Sequence, residues 1–183
     1  MLGSPDQRTV TSQWGPWAVG VAVAIAAVFA LLGAPETQAP LGRGAAAPDF
    51  SLPKLGGGSV AFEELRGQVV LVNFWATWCK PCEDEMPAME TLYRELREEG
   101  LELLAISVDE DAAVVEEFGQ RLGLSFPLLL DPDKRAAEAY QTYRFPESFL
   151  VDRNGVVVER YIGPKEWDAR AYMERIRRLL REG

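Results

Sequence analysis

The run VVLVNFW at positions 69–75 leads almost at once into Cys79-Lys80-Pro81-Cys82 and then into a charged, amphipathic stretch that reaches Glu99. A strand so nearly free of polar alternation is buried on both faces, and a sheet buried on both faces needs helices above and below it. After Cys82, Met86, Met89, Leu92, Tyr93 and Leu96 recur at helical spacing, Pro87 is placed to kink the helix, and Gly100 stands where a C-cap would. The predicted unit is buried strand, short loop, helix, with both cysteines of the chain at the junction.

The same alternation continues. DFSL and SVAF flank Gly56-Gly57-Gly58 and predict a short hairpin before the central strand. Downstream, strand 101–108, a helix over about 111–122, strand 126–130, a short helix at 135–140, strand 147–152, an Asn154-Gly155 turn, strand 156–162 and a final helix capped by Asp168 complete the pattern. A helical crossover makes the first strand pair parallel and the Asn-Gly hairpin makes the last pair antiparallel. The expected fold class is α/β, a mixed central sheet flanked by helices in three layers.

Ahead of this domain, WAVGVAVAIAAVFALLGA at 17–34 has eighteen residues and no charge. As a helix it reaches about 27 Å, close to a hydrocarbon core of about 30 Å. The expectation is an uncleaved transmembrane anchor; a cleaved signal is the alternative, though Pro35 is a poor neighbour for a scissile bond. Arg8 precedes the span and Arg43 is the nearest basic residue after it, which favours a short cytoplasmic N-terminus at 1–16 and a domain outside. Residues 35–47, rich in Pro, Ala and Gly, read as a flexible tether to a domain at 48–183.

Composition removes several function classes. A formal net charge of -9 argues against nucleic-acid binding, which needs a basic face. The chain has no histidine, so the usual catalytic base and the commonest metal ligand are both missing, and one Cys pair is half a structural zinc site. Spacing alone leaves a zinc half-site, an inert disulfide and a redox pair open. The strand-loop-helix setting favours the last. Backbone N–H groups and the dipole at the helix start stabilise a thiolate at Cys79, Pro81 presets the helix, and Cys82 lies one turn on, placed to bond with Cys79. The chemistry is thiol-disulfide exchange through a mixed disulfide.

VLVNFWATWCKPCEDEMP and FPESFLVDRNG (145–155) carry a resemblance to the thioredoxin superfamily, and more narrowly to its membrane-tethered, extracytoplasmic oxidoreductases of the TlpA, ResA and CcmG/DsbE type, over about residues 45–181. That resemblance implies a thioredoxin-like fold with an N-terminal β-hairpin. Cys79 would be the exposed nucleophile and Cys82 the resolving thiol. Pro146 would be a cis-proline that presents backbone to an extended substrate, and Glu85 an acidic group that raises the thiol pKa and shuttles a proton. Asn73 occupies the place of a buried aspartate in cytosolic thioredoxins; it either closes the strand end or marks the transfer of proton handling to Glu85. Trp75 is expected in the core, whereas Trp78 and Phe145 would shape the substrate groove. Phe145 is larger than the residue common there, and Glu147 and Ser148 replace a common Thr-Thr with little expected consequence.

Lys80 would push the Cys79 pKa down and Glu83, Asp84 and Glu85 would push it up, which favours a reductant. The implied substrate is a protein disulfide, that of apocytochrome c. The implied electron source is a membrane donor of the CcdA or DsbD kind, with no cofactor and the chain acting as a monomer in the bacterial inner membrane. A disulfide-forming oxidase or isomerase is the rival. A thiol peroxidase is disfavoured because Ala76 and Val72 stand where its threonine and proline belong.

Overall fold

The computed structural model describes residues 15–31 and 40–182. The apolar N-terminal segment forms α1 (Gly15–Leu31), whose described side chains Trp17, Val19, Val21, Val23, Ile25 and Val28 are all exposed. Among the described residues no helix is long and apolar enough to cross a membrane. Positions 1–14 and 32–39, which hold most of the expected cytoplasmic segment, the end of the expected span and the start of the expected tether, lie outside the described residues.

The remainder folds as one unit from Pro40. It opens with β1 (Ser51–Pro53) and β2 (Ser59–Ala61), the expected hairpin, with Leu52 opposite Val60. Then come β3 (Val69–Trp75), α2 (Lys80–Leu96), β4 (Leu101–Ser107), α3 (Ala112–Leu122), β5 (Leu128–Leu130), α4 (Arg135–Ala139), β6 (Glu147–Val151), β7 (Val157–Ile162) and α5 (Arg170–Arg181). The five-stranded sheet has the order β5-β4-β3-β6-β7. β3, β4 and β5 run parallel, while β6 and β7 pair antiparallel to their neighbours. This is the thioredoxin-like mixed sheet with flanking helices.

Every residue of β3 is buried, as its apolar run requires of a central strand. On one face, Phe74, Tyr140 and Phe149 pack edge to face or tilted with centroids 5.1–6.1 Å apart. On the other, Asn73 meets α2, and Arg177 of α5 ties to Glu95 and Glu99 at the end of α2. A 3-10 turn, Arg97–Glu99, prolongs α2, and Gly100 caps that turn at φ 102, a left-handed conformation costly to any residue with a Cβ. Pro87 sits inside α2 without ending it; lacking an N–H, it leaves one turn without its backbone bond.

Two expectations need correction. Asp168 does not cap α5: the N-cap is Ala169, with no side-chain bond, and the helix is secured instead at its other end by Arg153, which donates to the carbonyls of Leu179 and Leu180. Within the expected tether 35–47, residues 40–47 belong to the domain. Gly44 N–H donates to Val157, Val157 N–H to Ala45 and Ala47 N–H to Gly155, at 2.8–2.9 Å, and Leu41 and Ala47 are buried. The ladder uses main-chain groups alone, so a run of Gly, Ala and Pro can join it without the side-chain periodicity that marks a strand.

Candidate active site

Cys79 is the N-cap of α2, in extended backbone, with its Sγ accepting the N–H of Cys82 at 3.3 Å. The two cysteines form a disulfide. Cys79 retains 7% exposure and Cys82 none, so an incoming thiol can reach only the first sulfur. Lys80 and Pro81 occupy the first helical turn, where a missing proline N–H costs nothing.

The loop that carries Cys79 is pinned by a residue that the sequence did not single out. Asp109, just past β4, accepts the Thr77 N–H at 2.8 Å and the Thr77 hydroxyl at 2.7 Å, and Ser107 Oγ–H at 2.7 Å. In sequence it sits in Asp109-Glu110-Asp111, which looks like an ordinary solvated acidic run.

The Phe145–Pro146 peptide bond is cis. Phe74 pairs with Glu147 across β3 and β6, so Pro146 lies level with Trp75 at the sheet end from which the cysteine loop departs. Trp78, 68% exposed, meets Phe145 edge-on with centroids 5.9 Å apart, and the two rings flank this edge. Trp75 is in the core, against Phe118.

The acidic tail of the motif divides sharply. Lys80 Nζ pairs with Glu83 at 3.3 Å and Asp84 at 2.8 Å, and Arg121 of α3 pairs with Glu83 at 2.6 Å. Their charges are compensated near the surface, and the Lys80 ammonium is engaged by carboxylates, which hold its pKa above the ordinary value. The expected push and pull of these side chains on Cys79 therefore largely cancels.

Glu85 behaves differently. One turn after Cys82, it is 3% exposed. Its Oε1 accepts Asn73 Nδ2–H at 3.0 Å, and its Oε2 accepts the Lys165 N–H at 3.0 Å and the Trp167 indole N–H at 3.1 Å. Burial raises its pKa to about 7 against the opposing pull of these three bonds. A carboxyl poised there exchanges protons at neutral pH.

Asn73 also donates to Ser148 Oγ at 2.9 Å, so Ser148 is joined to the Glu85 network and is not the replacement of lesser consequence expected. Nor is Glu147, which is fully buried and paired with Arg160 at 2.7 Å. Lys165 and Trp167 were missed altogether; they come from the β7–α5 connection, 80 or more positions from Glu85, and only a tryptophan in an otherwise polar stretch hinted at burial.

The AhpC/TSA family profile matches residues 43–160. The chain is 43% identical over 120 residues to the thiol-disulfide oxidoreductase ResA of Geobacillus kaustophilus, covering 66% of this chain and 69% of that one. It is 42% identical over 136 residues to ResA of Geobacillus thermodenitrificans, covering 73% and 78%. A solved structure assigned as the thiol:disulfide interchange protein DsbE of Chlorobium tepidum superposes with a TM-score of 0.70 at 31% identity, over 75% of this chain and 97% of that one.

Proposed function

The chain belongs to the AhpC/TSA family and, with its ResA relatives, to the thiol-disulfide oxidoreductases; from that premise we propose that it is an extracytoplasmic reductant of protein disulfides. The observation that carries this reading is the buried Glu85 carboxyl one turn behind Cys82. When ionised it repels a neighbouring thiolate, whereas the uncharged disulfide is indifferent to it, so the pair gives up electrons more readily than it accepts them.

In the reaction, the Cys79 thiolate attacks one sulfur of the substrate disulfide, and the other leaves as a thiolate and takes a proton. Glu85 then accepts the proton of Cys82, whose sulfur attacks Cys79 in the mixed disulfide. The second substrate sulfur leaves as a thiolate and takes up a proton, Glu85 gives the Cys82 proton back to solvent, and the substrate departs as a dithiol with two more electrons. Cys79–Cys82 is left oxidised, the form described here. Pro146, Trp78 and Phe145 form the edge on which an extended substrate segment lies; Asn73 holds Glu85, and Lys80 and Pro81 set the first turn of α2. Resemblance to the cytochrome-maturation branch makes apocytochrome c the substrate we propose, recharged by a membrane donor of the CcdA or DsbD kind.

The apolar stretch 17–34 supports a bacterial inner-membrane anchor, since the side chains of α1 expose apolar surface that lipid would cover. The test of direction is the equilibrium potential of Cys79/Cys82 against glutathione. About -250 mV or lower fits the reductant, while about -120 mV, the range of strong oxidants, defeats it. A Cys82→Ala trap that captures no c-type cytochrome defeats the substrate assignment, and recovery of the chain in soluble fractions after lysis defeats the anchor.

A further inference from the structure

The connection between β7 and α5 reaches the candidate site twice. Gly163 N–H donates to the Pro146 carbonyl at 2.9 Å, extending the β6–β7 ladder by one rung to the cis-proline. Two residues on, Lys165 N–H donates to Glu85, and Trp167 follows with its indole N–H. The same short segment therefore touches the groove and the buried carboxyl.

What holds this segment is unusual for a lysine. Lys165 Nζ donates to the carbonyls of Ile162, Gly163 and Pro164 at 2.7, 2.8 and 3.2 Å. An ammonium has three N–H donors, and these three consecutive carbonyls use all of them. The charge folds back over its own chain and closes a ring from which the Lys165 main-chain N–H points at Glu85. Charge-assisted bonds of this kind are roughly twice as strong as neutral ones. Trp167 closes the far side, fully buried against Tyr161 and Tyr172 with centroids 5.1 and 5.3 Å away.

We propose that Lys165 is a positioning residue for the exchange reaction: by capping the carbonyls of residues 162–164 it fixes the β7–α5 connection so that one loop aims the Gly163 N–H at Pro146 and the Lys165 N–H at Glu85. The inference rests on the roles assigned above to Pro146 and Glu85. The groups that face the Glu85 carboxyl are Asn73 from β3, Ser148 from β6 through Asn73, Cys82 from one turn earlier on α2, and Lys165 and Trp167 from the loop. Of these, Lys165 carries the fixed charge, and both its N–H and its ammonium favour the carboxylate.

The test uses the full chain, reduced, in detergent micelles, as wild type, Lys165→Met, Lys165→Gln and Glu85→Gln. Amide hydrogen exchange is read at positions 163 and 165, and Cys79 alkylation by iodoacetamide is followed against pH. Lys165→Met is expected to speed exchange at both amides by about tenfold or more, as loss of a charge-assisted bond would. Acting through Glu85, it should also move the pH step of alkylation downward, because a carboxyl without the Lys165 N–H and charge is ionised less and repels the Cys79 thiolate less. Lys165→Gln, which keeps two donors without the charge, retains part of the protection. Wild-type protection at 163 and 165 in Lys165→Met overturns the proposal, and so does lost protection with an unmoved pH step. The Glu85 reading fails on a different result, namely a wild-type pH step that survives intact in Glu85→Gln.

Discussion

Asn73 on β3 donates to Oε1 of Glu85 on α2 at 3.0 Å, while its own Oδ1, fully buried, has no hydrogen-bond partner among the described residues. A buried amide oxygen left unpaired costs stability unless some state of the site uses it. As placed, Asn73 serves the carboxylate form of its neighbour, since both its bonds, to Glu85 and to Ser148, are donated by Nδ2.

Asn73→Ala removes the donor to Oε1 and is expected to raise the Glu85 pKa beyond its already elevated value, because that bond pulls it down. Stability should fall by about 2 kcal/mol at pH 8, where a carboxylate loses a charge-assisted bond, and by less at pH 5. Urea unfolding at the two pH values measures the difference; equal losses would mean the carboxyl does not feel Asn73.

Glu85→Gln should stabilise the protein in a defined pH window. The folded pKa of about 7 lies above the ordinary 4.5, so the folded state holds the proton more tightly than the unfolded chain. The stability this confers is complete below pH 4.5 and is lost as pH rises through about 7, a decline worth about 3 kcal/mol. Glutamine does not titrate. The advantage of Glu85→Gln over wild type should therefore grow between pH 4.5 and 8, and denaturant midpoints across that range check it. A flat difference would show that Glu85 titrates normally.

How far these groups were legible in the sequence depended on how locally their environment is written. β3 and the Cys79-x-x-Cys82 loop are specified by adjacent residues, since an unbroken apolar run has one comfortable place in a layered fold. Glu85 also left a trace, standing three residues after Cys82 and therefore on its helix face. Its neighbours Glu83 and Asp84 have a local partner in Lys80 at i−3 and i−4, while Arg121 reaches Glu83 through a contact that only the fold supplies; the burial of Glu85 has no local signature. Lys165 and Trp167 close the site from 80 or more positions away, and residues 40–47 join by main-chain bonds that no side-chain pattern records.

Arg160→Met should be the most destabilising of these changes. Arg160 reaches Glu147 at 2.7 Å and the carbonyls of Leu41 and Gln141 at 2.9 Å, and its guanidinium lies 5.2 Å from the Phe149 ring centroid. Methionine keeps much of the stem but strands a fully buried carboxylate one residue after Pro146. Breaking such a pair from one side costs about 3–5 kcal/mol. The double variant Arg160→Met/Glu147→Gln should recover part of that loss in the same unfolding experiment; a double variant no better than the single one would place the cost in the lost carbonyl contacts.

Trp78→Ala separates groove from chemistry. The indole is 68% exposed and its described ring contact is Phe145, edge-on at 5.9 Å, so its removal should change stability by no more than about 1 kcal/mol. It neither caps α2 nor touches the Glu85 network, so the reactivity of Cys79 toward a small disulfide such as Ellman's reagent should change less than about twofold. On the proposed reading a protein disulfide lays its flanking chain across Pro146 between Trp78 and Phe145, and there the lost aromatic surface is expected to lower kcat/KM about tenfold, the equivalent of about 1.4 kcal/mol of contact. Stopped-flow rates with reduced enzyme against insulin and against Ellman's reagent give the two numbers side by side. Equal slowing of both would move Trp78 from the substrate edge to the nucleophile itself, because only an effect on the Cys79 thiolate is blind to the size of the disulfide it attacks.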